Sequence, residues 1–369
     1  MRDGWVEYKF KDVATAVKGK LPKNKNEDGI GIPYLTANFL RSSKPDYWIE
    51  NIEGAVTAED GDCLILWDGA GAGDLFSAHR GVVSSTMAVV TTQNSKILRE
   101  FLTLFISSKA EYIKETCRGT TVPHVSPDAI ANMDLKIPPL SEQKRIVDLI
   151  SSVDSYIEAL QQQLESAKRS RNAVLHELLT AGGDDWVEHK LIDMFEIYQP
   201  QTIAKSLMSD DGEFIVFGAN GPIGRYHEFN HEEPEVVVTC RGATCGTINM
   251  TPPKTWITGN AMVVSPKTSE VSKGFLYWAL VAGVDIQSVV SGSAQPQITR
   301  EGLAPVKIKI PPLSRQKEIV DLISGFELNI SHSEESLNKT KALRSGLLAD
   351  LLSGEHEIPA SYDKVMGAA

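Results

Sequence analysis

Three groups of residues have types and spacings suited to chemistry. Glu142, Gln143 and Lys144, with Asp134 just upstream, have the E-x-K spacing of nuclease sites, where carboxylates hold a divalent cation that activates water. His227 and His231, followed by Cys240 and Cys245, run in a loosely zinc-like order. The C-x4-C step is wider than the usual knuckle, however, and Cys240 ends an apolar run in which cysteine serves as a small core residue. The glycine run 68–74, DGAGAGD, is neither G-x-G-x-x-G nor a P-loop ending in GK[ST], and reads as a tight hairpin. The other histidines, at 79, 124, 176, 189, 332 and 356, fall in no nucleophile–base motif, and there is no methyltransferase cofactor signature or Walker motif. No catalytic residue, metal or cofactor is therefore expected.

What remains is local basic and polar surface able to meet nucleic acid. Lys18, Lys20, Lys23 and Lys25 fall within a Gly/Pro/Asn-containing stretch that reads as a loop, and Arg41, Lys44, Arg80 and Arg118 follow. Further along stand Lys205, Asn220, Arg225, Arg241, Gln295, Gln297 and Arg300. Arginine forks onto guanine and glutamine onto adenine, which gives these positions a mechanism wherever a groove lies beside them. The plainer reading of a loop lysine is a solvated one.

The elements that must position these groups are written twice. Residues 137–151 read IPPLSEQKRIVDLIS and residues 310–324 read IPPLSRQKEIVDLIS, identical at thirteen of fifteen positions and 173 residues apart. Glu142 and Arg145 become Arg315 and Glu318, so an i,i+3 charge pair persists with its order reversed. The same comparison weakens the nuclease reading, because a metal site does not survive a carboxylate-to-arginine change. Trp5-Val-Glu-Tyr-Lys9 is echoed by Trp186-Val-Glu-His-Lys190. Residues 119–126 (GTTVPHVS) align with 292–299 (GSAQPQIT), and the glycines 69 and 73 with 242 and 246.

The repeated segments read as long helices. Pro138-Pro139 and Pro311-Pro312 forbid helix behind them, Ser141 and Ser314 are the expected N-caps, and Gly182-Gly183 and Gly354 the expected stops. From Val153 the stripe runs Ile157, Leu160, Leu164, Ala167, Arg171, Val174 and Leu178. The second copy runs Phe326, Ile330, Ser333, Leu337, Thr340, Arg344, Leu347 and Leu351. Both are heptad seams, each carrying an arginine at the same place, and about forty residues at about 1.5 Å each make a rod of roughly 60 Å. Two seams in one chain can bury each other as an antiparallel coiled coil around a pseudo-two-fold axis, with Arg171 and Arg344 setting register or snorkelling at the rim.

Between the rods the sequence reads as mixed α/β. Short β-branched runs, at 63–66, 81–92, 235–239 and 261–264, sit between Gly, Asn and Pro turns, and helical patterns at 96–117 and 273–290 precede the last strand of each domain. The expected organisation is α+β with an internal repeat: a domain at 1–136, a helical region at 137–183, a second domain at 184–309, a second helical region at 310–355 and a tail at 356–369. The chain has 369 residues and a net charge of −11, with no membrane-length apolar run and four unclustered cysteines. Its start lacks a secretory pattern, so a soluble cytoplasmic protein is expected. Residues 1–136 carry 16 basic and 18 acidic side chains and residues 184–309 carry 10 and 15, so no segment is a cationic glove.

The paired openings, each preceded by G-[ST]-x-x-P-x-[VI]-[ST] and followed by a long helix ending in Leu-Leu, resemble the specificity subunit of Type I restriction–modification systems over nearly the whole chain. The resemblance implies two target recognition domains, each reading one half of a bipartite, asymmetric sequence of double-stranded DNA, and two conserved helices forming the antiparallel coiled coil that spaces them. It implies a non-catalytic subunit that recruits two methyltransferase subunits, with restriction–translocase subunits joining the complex, and a circular layout that brings the tail near the first domain. The family has no universal DNA-contact motif, so the contact residues above rest on chemistry alone. Two other readings compete: a non-catalytic coiled-coil adaptor with two protein- or carbohydrate-binding α/β domains, which the acidity favours slightly, and a duplicated metal-dependent nuclease.

Overall fold

The computed structural model of the chain describes residues 4–119, 121–292 and 295–362. Two helices of 41 residues dominate it, Leu140–Thr180 and Leu313–Ser353. Each opens one residue before the serine expected to cap it. The Pro139 carbonyl already accepts from Glu142 and Gln143 N–H, and that of Pro312 from Arg315 and Gln316, so Ser141 and Ser314 lie inside the first turn. Each ends just before a left-handed glycine, Gly182 or Gly354, as the stop signal requires.

The chain divides into two compact units, and neither corresponds to a continuous half of the sequence. One comprises the chain up to Leu160 together with the chain from Ser336; the other is Gln161–Glu335. Each unit therefore holds one α/β domain, half of one long helix and the opposite half of the other.

In the first unit Val6–Lys9 pairs antiparallel with Asp134–Ile137, closing the domain onto the root of its helix. The central sheet has the strand order Thr15–Lys18, Met87–Thr91, Cys63–Leu66, Leu75–Ser77. A second sheet runs Trp48–Ile49, Ile32–Leu35, Gly81–Val83, Thr57–Ala58. The second unit repeats the plan. Val187–Lys190 pairs with Lys307–Ile310, Phe195–Tyr198, Ala261–Pro266, Val236–Thr239 and Ile248–Met250 form the central sheet, and Pro222–Tyr226, Phe214–Phe217 and Thr255–Ile257 the smaller one.

The uninterrupted apolar runs of the central strands follow from burial on both faces. Along Cys63–Leu66, Cys63 and Ile65 point into one core and Leu64 and Leu66 into another. Val236 and Val238 likewise face one core and Val237 the next. The larger core of each domain continues into the helices. Ile146, Ile150, Leu348 and Leu351 join Phe101, Leu102 and Ile106 in the first unit, and Leu175, Leu179, Ile319 and Ile323 join Phe275 and Leu276 in the second. In the second unit Lys168 pairs with Glu334 and Arg171 with Glu327, so one helix advances as the other retreats and the two segments run antiparallel.

The helical patterns at 96–117 and 273–290 are broken in the structure. The first is Arg99–Ser108 followed by Ala110–Glu115, with Lys109 between them at φ −102°, ψ 10°. The second is Lys273–Trp278, a wide π turn over Ala279–Gly283 and a 3-10 turn over Ile286–Val289. A one-residue tightening or loosening keeps the apolar face on the core, as buried Ile113 and Ile286 do, so periodicity alone does not register the break. The run at 81–92 likewise divides into Gly81–Val83 and Met87–Thr91.

Along the seam, Ile157, Leu164, Ile330, Leu337 and Leu351 are buried, and Val153, Leu160, Val174, Leu178, Phe326 and Leu347 half-buried. Near the domains the deepest positions shift by one residue, to Leu175, Leu179 and Leu348, because the helix there packs on its domain core with a 3.6-residue period rather than on a coiled-coil seam. Residues 354–358 turn back onto the first domain. Gly354 lies over the Trp5 ring, where an added Cβ would come within 3.2 Å of it, and Ile358 is buried in the same core as Trp5. Thr120, Ser293 and Ala294 of the repeated loop, and residues 363–369 of the tail, lie outside the described residues. Among the described residues no helix is long and apolar enough to cross a membrane.

Candidate nucleic-acid interface

Two docked loops recur in both domains with the same main-chain bonds. In the first domain the glycine run turns between Cys63–Leu66 and Leu75–Ser77 as the expected hairpin. It is held to the loop 118–125 by the main chain: Gly69 N–H donates to the Pro123 carbonyl at 2.9 Å and Val125 N–H to that of Trp67 at 2.9 Å. Arg118 and His124 exchange backbone hydrogen bonds of 2.9 and 2.8 Å. In the second domain, 173 residues on, Gly242 N–H donates to the Pro296 carbonyl at 3.1 Å, Ile298 N–H to that of Cys240 at 3.0 Å, and Ser291 and Gln297 exchange bonds of 2.9 and 2.8 Å. Both hairpins close on a glycine at positive φ, 91° at Gly73 and 89° at Gly246, a backbone that other residues rarely adopt, and a Cβ at Gly73 would also crowd Lys114.

Charged side chains gather around the first loop. Lys18 pairs with Asp68, Arg41 with Asp74 at 2.7 Å, and Lys114 with the other Asp74 oxygen at 3.1 Å. Burial alone would raise the Asp74 pKa, but hydrogen bonds from Lys114 and Arg41 outweigh it and hold this carboxyl below its usual range. Arg118 and His124 stand exposed on the adjoining loop. Around the second loop Arg241, Ser291, Gln295 and Gln297 are exposed, as is Gln287, which lies against Gly246.

The remaining sequence candidates lie elsewhere or are engaged. Lys18 ends the strand Thr15–Lys18 rather than lying in a loop; Lys20 and Lys23 are exposed beyond it, and Lys25 sits 3.7 Å above the Tyr47 ring. Lys44 follows the helix Ala37–Ser42 and Arg80 pairs with Glu59 at 3.8 Å. Lys205 begins the 3-10 turn Lys205–Leu207, and Arg300 opens the helix Arg300–Leu303 beside the capping Thr299. Arg225 donates to the Gly212 and Glu213 carbonyls at 2.6 and 2.7 Å, and Asn220 accepts from Asn249 at 2.8 Å. Lys114 was invisible to sequence reasoning: it stands alone in a helical pattern and meets the glycine loop only through the fold.

Several of the groups suited to metal chemistry are occupied structurally. Trp5 Nε1 donates to Glu142 Oε2 at 3.2 Å, and Arg315, in its place in the second copy, binds Glu318 at 2.8 Å. Gln143, between Glu142 and Lys144, is fully buried. Its Oε1 accepts from Leu98 N–H at 2.8 Å and its Nε2 donates to the Lys96 and Pro138 carbonyls at 2.7 and 2.8 Å. Gln316 makes the same bonds, accepting from Ser272 N–H and donating to the Glu270 and Pro311 carbonyls. The repeated helix opening is thus an amide clamp that fixes each helix root to its domain. Its signal was present in the sequence as a glutamine unchanged between flanking positions that swap charge. His231 stacks on Tyr198, which it meets at 2.9 Å, while Cys240 packs against the Asn260 carbonyl at 3.1 Å. Among the described residues no group of three or more His, Cys, Asp or Glu side chains is placed to hold a metal.

Comparison with known proteins agrees with this architecture. The family described as Type I restriction modification DNA specificity domain matches twice, over residues 2–169 and 183–341. The Type I restriction enzyme MjaVIII specificity subunit of Methanocaldococcus jannaschii is 23% identical over 397 residues, covering 96% of this chain and 93% of that one. The Type I restriction enzyme EcoBI specificity subunit of Escherichia coli is 22% identical over 223 residues, 57% of this chain and 47% of that one. In fold the chain is similar to the crystal structure of a Type I restriction–modification S subunit from M. genitalium, with a TM-score of 0.62 at 17% identity, covering 94% and 96% of the two chains.

Proposed function

The chain belongs to the Type I restriction–modification DNA specificity family, and from that premise we propose that it is the sequence-specific DNA-binding subunit of such a complex, each α/β domain reading one half of a bipartite target. The observation that carries this reading is the duplication: two domains of one plan, each clamped to the root of a long helix by the same buried glutamine and each presenting a docked glycine loop with different side chains. The recognition domains are residues 1–136 and 184–309; the helical regions, 137–183 and 310–355, set their spacing and dock two methyltransferase subunits, which restriction–translocase subunits join.

The subunit itself is non-catalytic. Of the residues with nuclease and zinc spacing, Glu142, Gln143, His231 and Cys240 make structural contacts, and DNA cleavage and methylation belong to its partners. Its acidity has a consequence: alone it binds DNA weakly, and much of the grip on phosphate comes from partners closing around the duplex. The test is a gel shift with randomised duplex DNA, with and without methyltransferase subunits, on the native chain and on a chimaera with residues 10–136 exchanged for another recognition domain. The expected result is weak binding alone, tight selective binding in the complex, and a change in one half-site only for the chimaera. A chimaera altered in both halves refutes modular reading.

A further inference from the structure

The two docked loops are built by main-chain hydrogen bonds at matching positions, so the side chains they carry are free to differ without cost to the frame. They do differ, and three of the matched places that differ carry polar side chains in both domains beside the paired main chain: Asp68 against Arg241, Arg118 against Ser291, and His124 against Gln297. Lys114 against Gln287, each the side chain nearest the glycine that closes its loop, differs as well. Arg118, His124, Arg241, Ser291 and Gln297 are exposed, and Asp68 is half-buried and paired with Lys18. A constant backbone frame carrying varied, exposed, hydrogen-bonding side chains is what two readers of two different sequences require.

Resting on the DNA-recognition reading above, we infer that these three matched positions are the base-reading positions and that they make the two half-sites chemically different. In the first domain Asp68 accepts from a cytosine amino group and Arg118 forks onto guanine O6 and N7, so that half-site is centred on G·C pairs. In the second domain Gln297 pairs with adenine N6 and N7 and Arg241 with guanine, so that half-site holds an adenine beside a guanine. Lys18, which neutralises Asp68 in the free protein, turns to phosphate when cytosine takes its place. Lys20, Lys23, Lys44 and Lys205, outside the two frames, contact phosphate and carry no base information.

The test is selection from a duplex library randomised in both half-sites, using the full chain assembled with methyltransferase subunits. Arg241→Ala and Gln297→Ala keep the main-chain frame. Each is expected to lower base preference at one pair of one half-site by roughly tenfold or more while leaving the other half intact. Gln297→Glu, of the same shape, is expected to exchange an adenine preference for cytosine, an outcome that misfolding cannot imitate. Lys205→Ala weakens binding to all sequences alike. If the native chain selects a bipartite motif and the Arg241 and Gln297 variants select it unchanged, the assignment is overturned and the DNA-recognition reading stands. If the native complex selects no motif, both fall.

Discussion

Arg344 holds Asp154 with both arms of its guanidinium, Nε to Oδ1 at 2.6 Å and Nη2 to Oδ2 at 2.9 Å. Its counterpart one repeat earlier, Arg171, holds Glu327, which is itself the counterpart of Asp154. The arginine side chains are 23% and 21% exposed and their acids 45% and 41%. The arginines at seam positions therefore neither snorkel freely nor lie as buried charges: each crosses to an acid on the opposite helix within its own unit, and the pairing is antiparallel. Hydrogen bonding to Asp154 raises the Arg344 pKa despite its partial burial, so its contribution is full below its ordinary value and constant across physiological pH.

These pairs are expected to set register more than stability. A double-mutant cycle on Arg344→Leu and Asp154→Ala is expected to give a coupling of about 1 kcal/mol, at the upper end for partly exposed pairs because the geometry is bidentate. Replacing both arginines with leucine is expected to hold or raise the melting temperature, since the acids are exposed enough to hydrate, while cysteine cross-links placed across the seam report more than one register. A single register in that variant counts against the role.

The glutamine clamps cost more to lose. Gln143→Leu or Gln316→Leu leaves one buried carbonyl, a part-buried carbonyl and a part-buried N–H without their partner, a loss of about 1–3 kcal/mol at each site. Thermal unfolding of each variant measures it; a change under about 0.5 kcal/mol means the clamp is redundant with the strand pairing beside it.

On the proposed function the helices are expected to act as a ruler. Inserting four residues into both, after Leu160 and after Glu335, adds about 6 Å, roughly two base pairs of DNA. Target selection by the assembled complex is expected to return the same half-sites with a longer spacer. An unchanged spacer overturns the ruler.

His231 makes the second unit pH-sensitive. Desolvation lowers its pKa, the Lys273 charge adds to this, and Glu235 only partly opposes it. With a folded value below the ordinary 6.5, the neutral ring is favoured, so its contribution is complete above that pH and is lost as pH falls through the folded value. Melting temperatures from pH 7.5 to 5 are expected to fall more steeply for the native chain than for His231→Gln. Parallel profiles would remove His231 from the account.

The internal repeat, the long helices with their glycine stops, the α/β domains between them and the hairpin at 68–74 were all legible in the sequence. Each is local, or is stated twice by the same residues at a fixed offset. Helix caps, helix breaks and the shift of the seam to Leu175 and Leu179 were not, because apolar spacing is indifferent to a one-residue tightening and does not say whether a helix meets another helix or a sheet. The meaning of Glu142-Gln143-Lys144 was open to chemistry in sequence and closed by packing: the partners of Gln143 are the backbone atoms of Lys96, Leu98 and Pro138, two of them more than forty residues away.

By itself, then, the sequence determined that two copies of one design exist and that their helices can bury each other, since hydrophobic period and identity are properties of the chain. Tertiary structure alone decided how the copies share their parts. Each unit takes one half of each long helix, Ile358 and Gly354 return to Trp5, and the polar candidates scattered along each domain separate into those on the glycine loop and those away from it. Lys18, Arg41, Lys114, Arg118 and His124 meet around residues 68–74 because strands distant in sequence lie side by side in the sheet, and spacing along the chain carries no record of that.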